Sequence, residues 1–260
     1  MKNALVIGAT NFIGFSLCQK LISMEVEVFG LEFSEKENDQ AEKKLMEIGR
    51  NAYFNYFNLD SLERGIELKD RSFEIAYFCF ESEESLERNA MERLKPLLDK
   101  TQKILLVSPI ANNLDVAEFQ DITNHSNIFS VYHPSAYGPW QPESETIQQR
   151  IIELLNNNQL EKREILNDDI LYVEDLVEAI FTISENTQVS TSVTLVNRDK
   201  GTLAEIAAEL ELKIKDKEFP KKLKKEEETR NVYYVSSSIS VKKALAKQRN
   251  TTEESLKLDF

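Results

Sequence analysis

Gly8 and Gly14 stand six residues apart directly after the apolar run Leu5-Val6-Ile7, with Asn11 midway between them. A strand that ends in glycine and leads into a helix sets backbone N–H groups, and the positive end of the helix dipole, where a pyrophosphate can sit. Glycine suits such a turn because a Cβ blocks close approach or forbids the backbone angles. Asn11 takes the middle place of a G-x-x-G-x-x-G spacing. Asn tolerates left-handed angles, so the expectation is a turn that keeps its shape with less room for a phosphate. Glu32 lies 24 residues past Gly8, at the end of the next apolar run, close to where an acid meets the adenosine ribose hydroxyls. A carboxylate there repels a 2′-phosphate, which favours NAD over NADP as the cofactor. The competing readings are a purely structural strand–helix junction at Gly8–Gly14 and an ordinary surface acid at Glu32.

Acid–base candidates are few. His125 and His133 titrate near neutrality in water, Ser108 carries a hydroxyl, and Tyr132 and Tyr137 carry phenols, but none has a partner at motif spacing. Of the eight tyrosines, none is followed by lysine four residues later. Two histidines eight apart, with no flanking cysteine or acid pattern, do not make a metal site. Asn112, Asn113 and Asn124 read as turn residues.

These residues need a scaffold, and the first half of the chain supplies one. Apolar β-branched runs alternate with helix-like segments, the pattern of a parallel sheet covered on both faces. Strands are expected at Ala4–Ile7, Val26–Leu31, Ala52–Phe57, Ile75–Cys79, Ile104–Val107 and Ile128–Tyr132. Phe12-Ile13, Leu17-Cys18 and Leu21-Ile22 recur at helical spacing between the first two. The second half holds an amphipathic helix near Thr146–Leu155, a strand and helix across Asp169–Ile183 and a strand near Val193–Val196. A further helix begins at Thr202, which with Glu205 forms a capping box. Lys213–Arg230, dense in both charge signs and broken by Pro220, reads as a solvated helix or loop. The fold class is α/β: a doubly wound parallel sheet with a small C-terminal α/β lobe. The dinucleotide-binding domain is expected over residues 1–138 and the lobe over 139–260, with about 165–185 returning to the main sheet.

The chain has 260 residues, 41% of them apolar, and a net charge of −13 with a pI near 4.8. That length suits one large domain with an appended lobe. The charge opposes nucleic-acid binding, whose affinity comes largely from Lys and Arg displacing counterions. Cys18 and Cys79 read as small buried hydrophobes, which fits a reducing cytoplasm. No basic-then-apolar leader and no apolar run near bilayer length is visible, so a cytoplasmic protein is expected.

Together the motifs resemble the extended short-chain dehydrogenases/reductases, the NAD-dependent epimerase/dehydratase family. Val6-Ile7-Gly8-Ala9-Thr10-Asn11-Phe12-Ile13-Gly14 resembles its cofactor turn, and Asn58-Leu59 sits where the family carries an Asp-Leu pair at the adenine. Val107-Ser108 resembles the strand end before the catalytic Ser/Thr. His133-Pro134 with Tyr137-Gly138-Pro139-Trp140 resembles the Arg-Pro and Tyr-Gly-Pro signature, and Asp169–Leu176 the strand-to-helix motif beside the substrate. The resemblance implies cofactor contacts from Gly8, Thr10, Asn11, Phe12, Ile13, Gly14, Glu32, Asn58, Leu59, Cys79, Ser108 and Pro134. It implies a substrate cleft at the strand ends where Tyr137, Trp140 and Tyr172 join Ser108 and His133.

The chain departs from this family at its chemistry. There a tyrosine acts as acid/base and a lysine four residues on lowers its pKa, while a Ser/Thr hydroxyl polarises the substrate. Here Pro109 stands where that hydroxyl is expected. Only 29 positions separate Ser108 from Tyr137, too few for the family's long catalytic helix. His133 replaces the signature arginine, and Asp168 stands in place of another cation, which disfavours a sugar diphosphate. The expectation is an NAD-binding protein of binding or regulatory role. The alternatives are an atypical epimerase, dehydratase or reductase using Ser108, His133 or Tyr137, and an inactive subunit of an active relative, against which loss of a dimer helix counts.

Overall fold

The computed structural model describes residues 1–32, 40–58, 68, 71–81, 88–112, 116–123, 125–156, 163–186, 192–216 and 231–258. Its strands are β1 Asn3–Ile7, β2 Glu27–Leu31, β3 Phe54–Phe57, β4 Ile75–Cys79, β5 Ile104–Pro109, β6 Ile128–His133, β7 Ser135–Tyr137, β8 Glu164–Asn167, β9 Ile170–Tyr172, β10 Ser192–Asn197, β11 Lys213–Asp216 and β12 Asn231–Val235. The helices are α1 Phe12–Ser23, α2 Ala41–Ile48, α3 Arg88–Leu98, α4 Val116–Thr123, α5 Thr146–Leu155, α6 Val173–Glu185, α7 Thr202–Glu209 and α8 Val241–Lys257. Strands β3-β2-β1-β4-β5-β6-β10-β12 form one eight-stranded sheet. Starting from β1 the chain winds outward to β3, then crosses back to β4 and winds the other way. That reversal makes the carboxyl ends of β1 and β4 the topological switch point, the place where open α/β sheets bind ligands. The pairings β1 with β2, β1 with β4, β2 with β3 and β4 with β5 are all parallel.

The chain divides into two compact units, Met1–Tyr132 with Ile180–Val193, and His133–Ala179 with Thr194–Phe260. In the first unit β4, Ile-Ala-Tyr-Phe-Cys, is buried at every position, as a central parallel strand must be. Phe78 meets Phe119 edge-on at 4.9 Å, and Phe29 meets Phe73 at 5.4 Å. Full burial of such a side chain contributes about 1.5–3 kcal/mol. Tyr77, buried in β4, donates its hydroxyl to Ser184 at 2.7 Å. His125 is a structural residue here: its Nε2 meets the Thr101 carbonyl at 2.8 Å.

In the second unit β7 pairs with β9, and β11 with β8, both in parallel. Residues 213–216, expected as solvated helix or loop, are a strand whose four side chains are all exposed. Pairing explains this, because Lys213 and Lys215 both reach Glu164 on β8. The rest of that charged run lies outside the described residues. The capping box at Thr202 is also corrected. Gly201, with φ 106°, is the N-cap, and Thr202 is the first helical residue. The Thr202 hydroxyl donates to the Asp199 carbonyl and accepts from Asn197 Nδ2. Asp169 accepts the backbone N–H of Asn197 at 2.8 Å, which ties β10 to the start of β9. Among the described residues, no helix is long and apolar enough to cross a membrane.

Candidate functional site

The turn after β1 is built from backbone constraints. Gly8 takes φ 79°, and its N–H donates to the Leu31 carbonyl at 2.7 Å, fastening the turn to the end of β2. A Cβ on Gly14 would stand 1.9 Å from the Gly8 carbonyl oxygen and 3.3 Å from the Cys79 Cβ. No side chain fits there, so α1 starts in direct contact with β1 and β4. Asn11 is the N-cap of α1 in an extended conformation, φ −62° and ψ 159°. The expectation of a left-handed Asn11 is therefore corrected: Gly8 supplies the positive φ. The Asn11 amide turns inward to donate to the Cys79 carbonyl at 3.0 Å. Phe12 and Ile13 open the helix, both buried.

Two N–H groups of this turn meet carboxylates. Thr10 N–H donates to Glu32 Oε1 at 2.8 Å, and Phe12 N–H donates to Glu81 Oε1 at 3.0 Å. Lys44 reaches in from α2, 2% exposed, and donates to the Thr10 carbonyl at 2.7 Å. Burial pulls its pKa down to about 8, partly offset by Glu81 and Glu32. Neither Glu81 nor Lys44 emerged from the sequence. Glu81 had one usable signal, its place as the first acid past β4 at the ligand-binding end of the sheet; Lys44 had none. Cys79 is buried at the end of β4, Asn58 is exposed past β3, and Leu59 lies outside the described residues. Ser108 is buried in β5 with its hydroxyl 3.4 Å from the Pro109 carbonyl. Asn112 donates its amide to the Glu81 carbonyl at 2.9 Å, whereas Asn113 and Asn124 lie outside the described residues.

In the second unit the expectation that His133 titrates near neutrality is corrected. The ring is buried, which pulls its pKa down to about 4. Its Nδ1 lies 2.8 Å from the Pro134 carbonyl, an acceptor, so Nδ1 carries the proton. Nε2 then presents a lone pair, with no hydrogen-bond partner among the described residues. Tyr137 and Tyr172 are buried and adjacent. Burial, then the charges of Asp175 and Glu205, push the Tyr137 phenol well above its ordinary value. Tyr172 is raised by burial and by Glu174, to which its hydroxyl donates at 2.7 Å. Trp140 is buried with φ 66°, a left-handed conformation rare for a bulky residue. A separate cleft of about 140 Å³ is lined by Ser135, Ala136, Gln141, Glu145, Thr146, Ile147, Ile165, Leu166, Asp168, Ile170 and Leu203. Its two charged side chains are acids, which suits a ligand without phosphate. Among the described residues no group of three or more His, Cys, Asp or Glu could hold a metal ion.

No family model matches the chain, and no curated protein is similar to it in sequence. Solved structures are similar in fold. The dTDP-glucose 4,6-dehydratase of Bacillus anthracis, solved with NAD, superposes with a TM-score of 0.66 at 13% identity, covering 98% of this chain and 97% of that one. The UDP-glucuronic acid 4-epimerase of Bacillus cereus, also solved with NAD, gives 0.62 at 15% identity over 97% and 99%. An epimerase from Methanothermobacter thermautotrophicus gives 0.66 at 12% identity over 99% and 94%. The protein thus has a Rossmann-like α/β fold. In particular it has the fold of these epimerases and dehydratases across almost its whole length.

Proposed function

We propose that this chain binds NAD at the Gly8–Gly14 turn and does so without tyrosine-dependent catalysis, serving as a binding or regulatory protein. One observation carries the reading. The helix between β5 and β6 is α4, Val-Ala-Glu-Phe-Gln-Asp-Ile-Thr, eight residues with neither tyrosine nor lysine. Tyr137 does not compensate, since burial, and then the charges of Asp175 and Glu205, hold its phenol protonated. A general acid/base typically supplies about 10²–10⁴-fold in rate, and this site forgoes it. The cofactor half of the reading is supported by the turn and by fold neighbours solved with NAD. Glu32 against the turn favours NAD over NADP. Two buried cysteines that form no disulfide support a cytoplasmic location.

A second reading, atypical turnover of a small carbonyl or sugar compound, is favoured by the lone pair at His133 Nε2. Titrating the protein with NADH and NADPH, then screening carbonyl compounds and nucleotide sugars for turnover, separates the two. The expected result is a preference for NADH with no turnover. Equal or tighter NADPH binding refutes the role of Glu32, and robust turnover abolished by His133→Gln establishes the enzyme.

A further inference from the structure

Glu81 sits on the wrong side of the charge balance for a phosphate site. Its carboxylate accepts the N–H of Phe12, the first residue of α1, at 3.0 Å. Helix-terminal N–H groups of this kind are the donors on which a dinucleotide pyrophosphate rests. Glu32 takes the Thr10 N–H two residues earlier. A negative charge at a helix start is stabilising, so the arrangement satisfies the turn from within the chain. The Glu81 backbone is pinned separately, its carbonyl accepting the Asn112 amide at 2.9 Å. Rotation of the side chain would release the Phe12 N–H while Asn112 still holds the backbone.

We propose that Glu81 is an intramolecular stopper of the cofactor turn, its carboxylate holding the anion position at the start of α1 until a ligand phosphate displaces it. The proposal rests on the reading of residues 8–14 as a dinucleotide turn. A phosphate arriving there must remove a hydrogen bond and face a second anion, so the stopper lowers affinity and makes binding depend on where the Glu81 side chain points. Lys44, buried beside the same turn, donates to the Thr10 carbonyl, and Glu81 and Glu32 favour its charged form against the pull of burial.

The test uses the full chain with Glu81→Ala and Glu81→Gln, each titrated with NADH and, separately, with inorganic pyrophosphate read by thermal shift. Glu81→Ala is expected to bind NADH at least tenfold more tightly than the parent and to be stabilised by pyrophosphate, with Glu81→Gln between them. Should Glu81→Ala fold poorly, Glu81→Gln carries the test, since it keeps the volume and loses the charge. Equal NADH affinity in parent and variants overturns the stopper and leaves the dinucleotide reading standing. Stabilisation of the variants by pyrophosphate without NADH binding supports the stopper and removes NAD as its ligand. Cooperatively folded variants that take neither ligand overturn both.

Discussion

Tyr137 and Tyr172 are register partners on the paired strands β7 and β9, and their ring centroids lie 5.6 Å apart with the planes tilted by 54°. Each ring is shielded, and each hydroxyl has acids nearby, so losing its proton would add a further negative charge. Neither phenol is therefore expected to ionise with the ordinary tyrosines near about pH 10. An alkaline ultraviolet titration should give the same amplitude in that range for the parent, Tyr137→Phe and Tyr172→Phe. A drop in amplitude for either variant would show a phenol available for proton transfer.

His133 makes stability depend on acidity in a defined direction. Its folded pKa, about 4, lies below the ordinary value of 6.5, so the unfolded chain binds more protons between those two values. Stability is full above pH 6.5 and declines as the pH falls toward 4. The loss from this group is about 3 kcal/mol. Denaturant melts across that window should show the decline in the parent and a shallower one in His133→Gln. Parallel slopes would mean that the ring is solvated in the native state.

Gly14→Ala should damage the turn more than any exposed substitution. The added methyl meets the backbone oxygen of Gly8, and the groups around it have no flexible side chain to give way. Overpacking of this kind typically costs about 1–3 kcal/mol. Differential scanning calorimetry and NADH titration should show lower stability and weaker binding together. Unchanged values in both would mean that α1 can slide away from β1.

Much of the first unit was legible because its inner strands β1, β2, β4 and β5 are buried almost throughout. Ile75–Cys79 reads as an uninterrupted apolar run, and its bounds match the sequence expectation. The small parallel pair of β8 and β11 was not legible. Lys213, Lys215 and Glu164 pair across strands that expose their side chains, and charge density of that kind also describes a solvated loop. At the site the glycines and Glu32 were readable, and Glu81 was not. Glu81 is one acid among many in a chain of net charge −13, distinguished in the sequence only by its place just past β4 and in the structure by its bond to the Phe12 N–H. His133 was misjudged for a related reason, since enclosure is a property of the folded unit and leaves no local pattern in the residues around it.

Cys18 on α1 and Cys79 on β4 are both buried beneath the turn, and burial, Cys79 and Glu32 together push the Cys18 thiol well above its ordinary value. A protonated thiol is a poor nucleophile. Alkylation of Cys18 is therefore expected to be slow in the native protein and to follow the opening of the structure around it. The thiol becomes a stopwatch set beside the turn, its labelling half-time expected to report how often this part of the sheet opens. If the proposed dinucleotide clamps the turn, it should slow the stopwatch, so that occupancy could be timed without a dye, a substrate or a turnover assay.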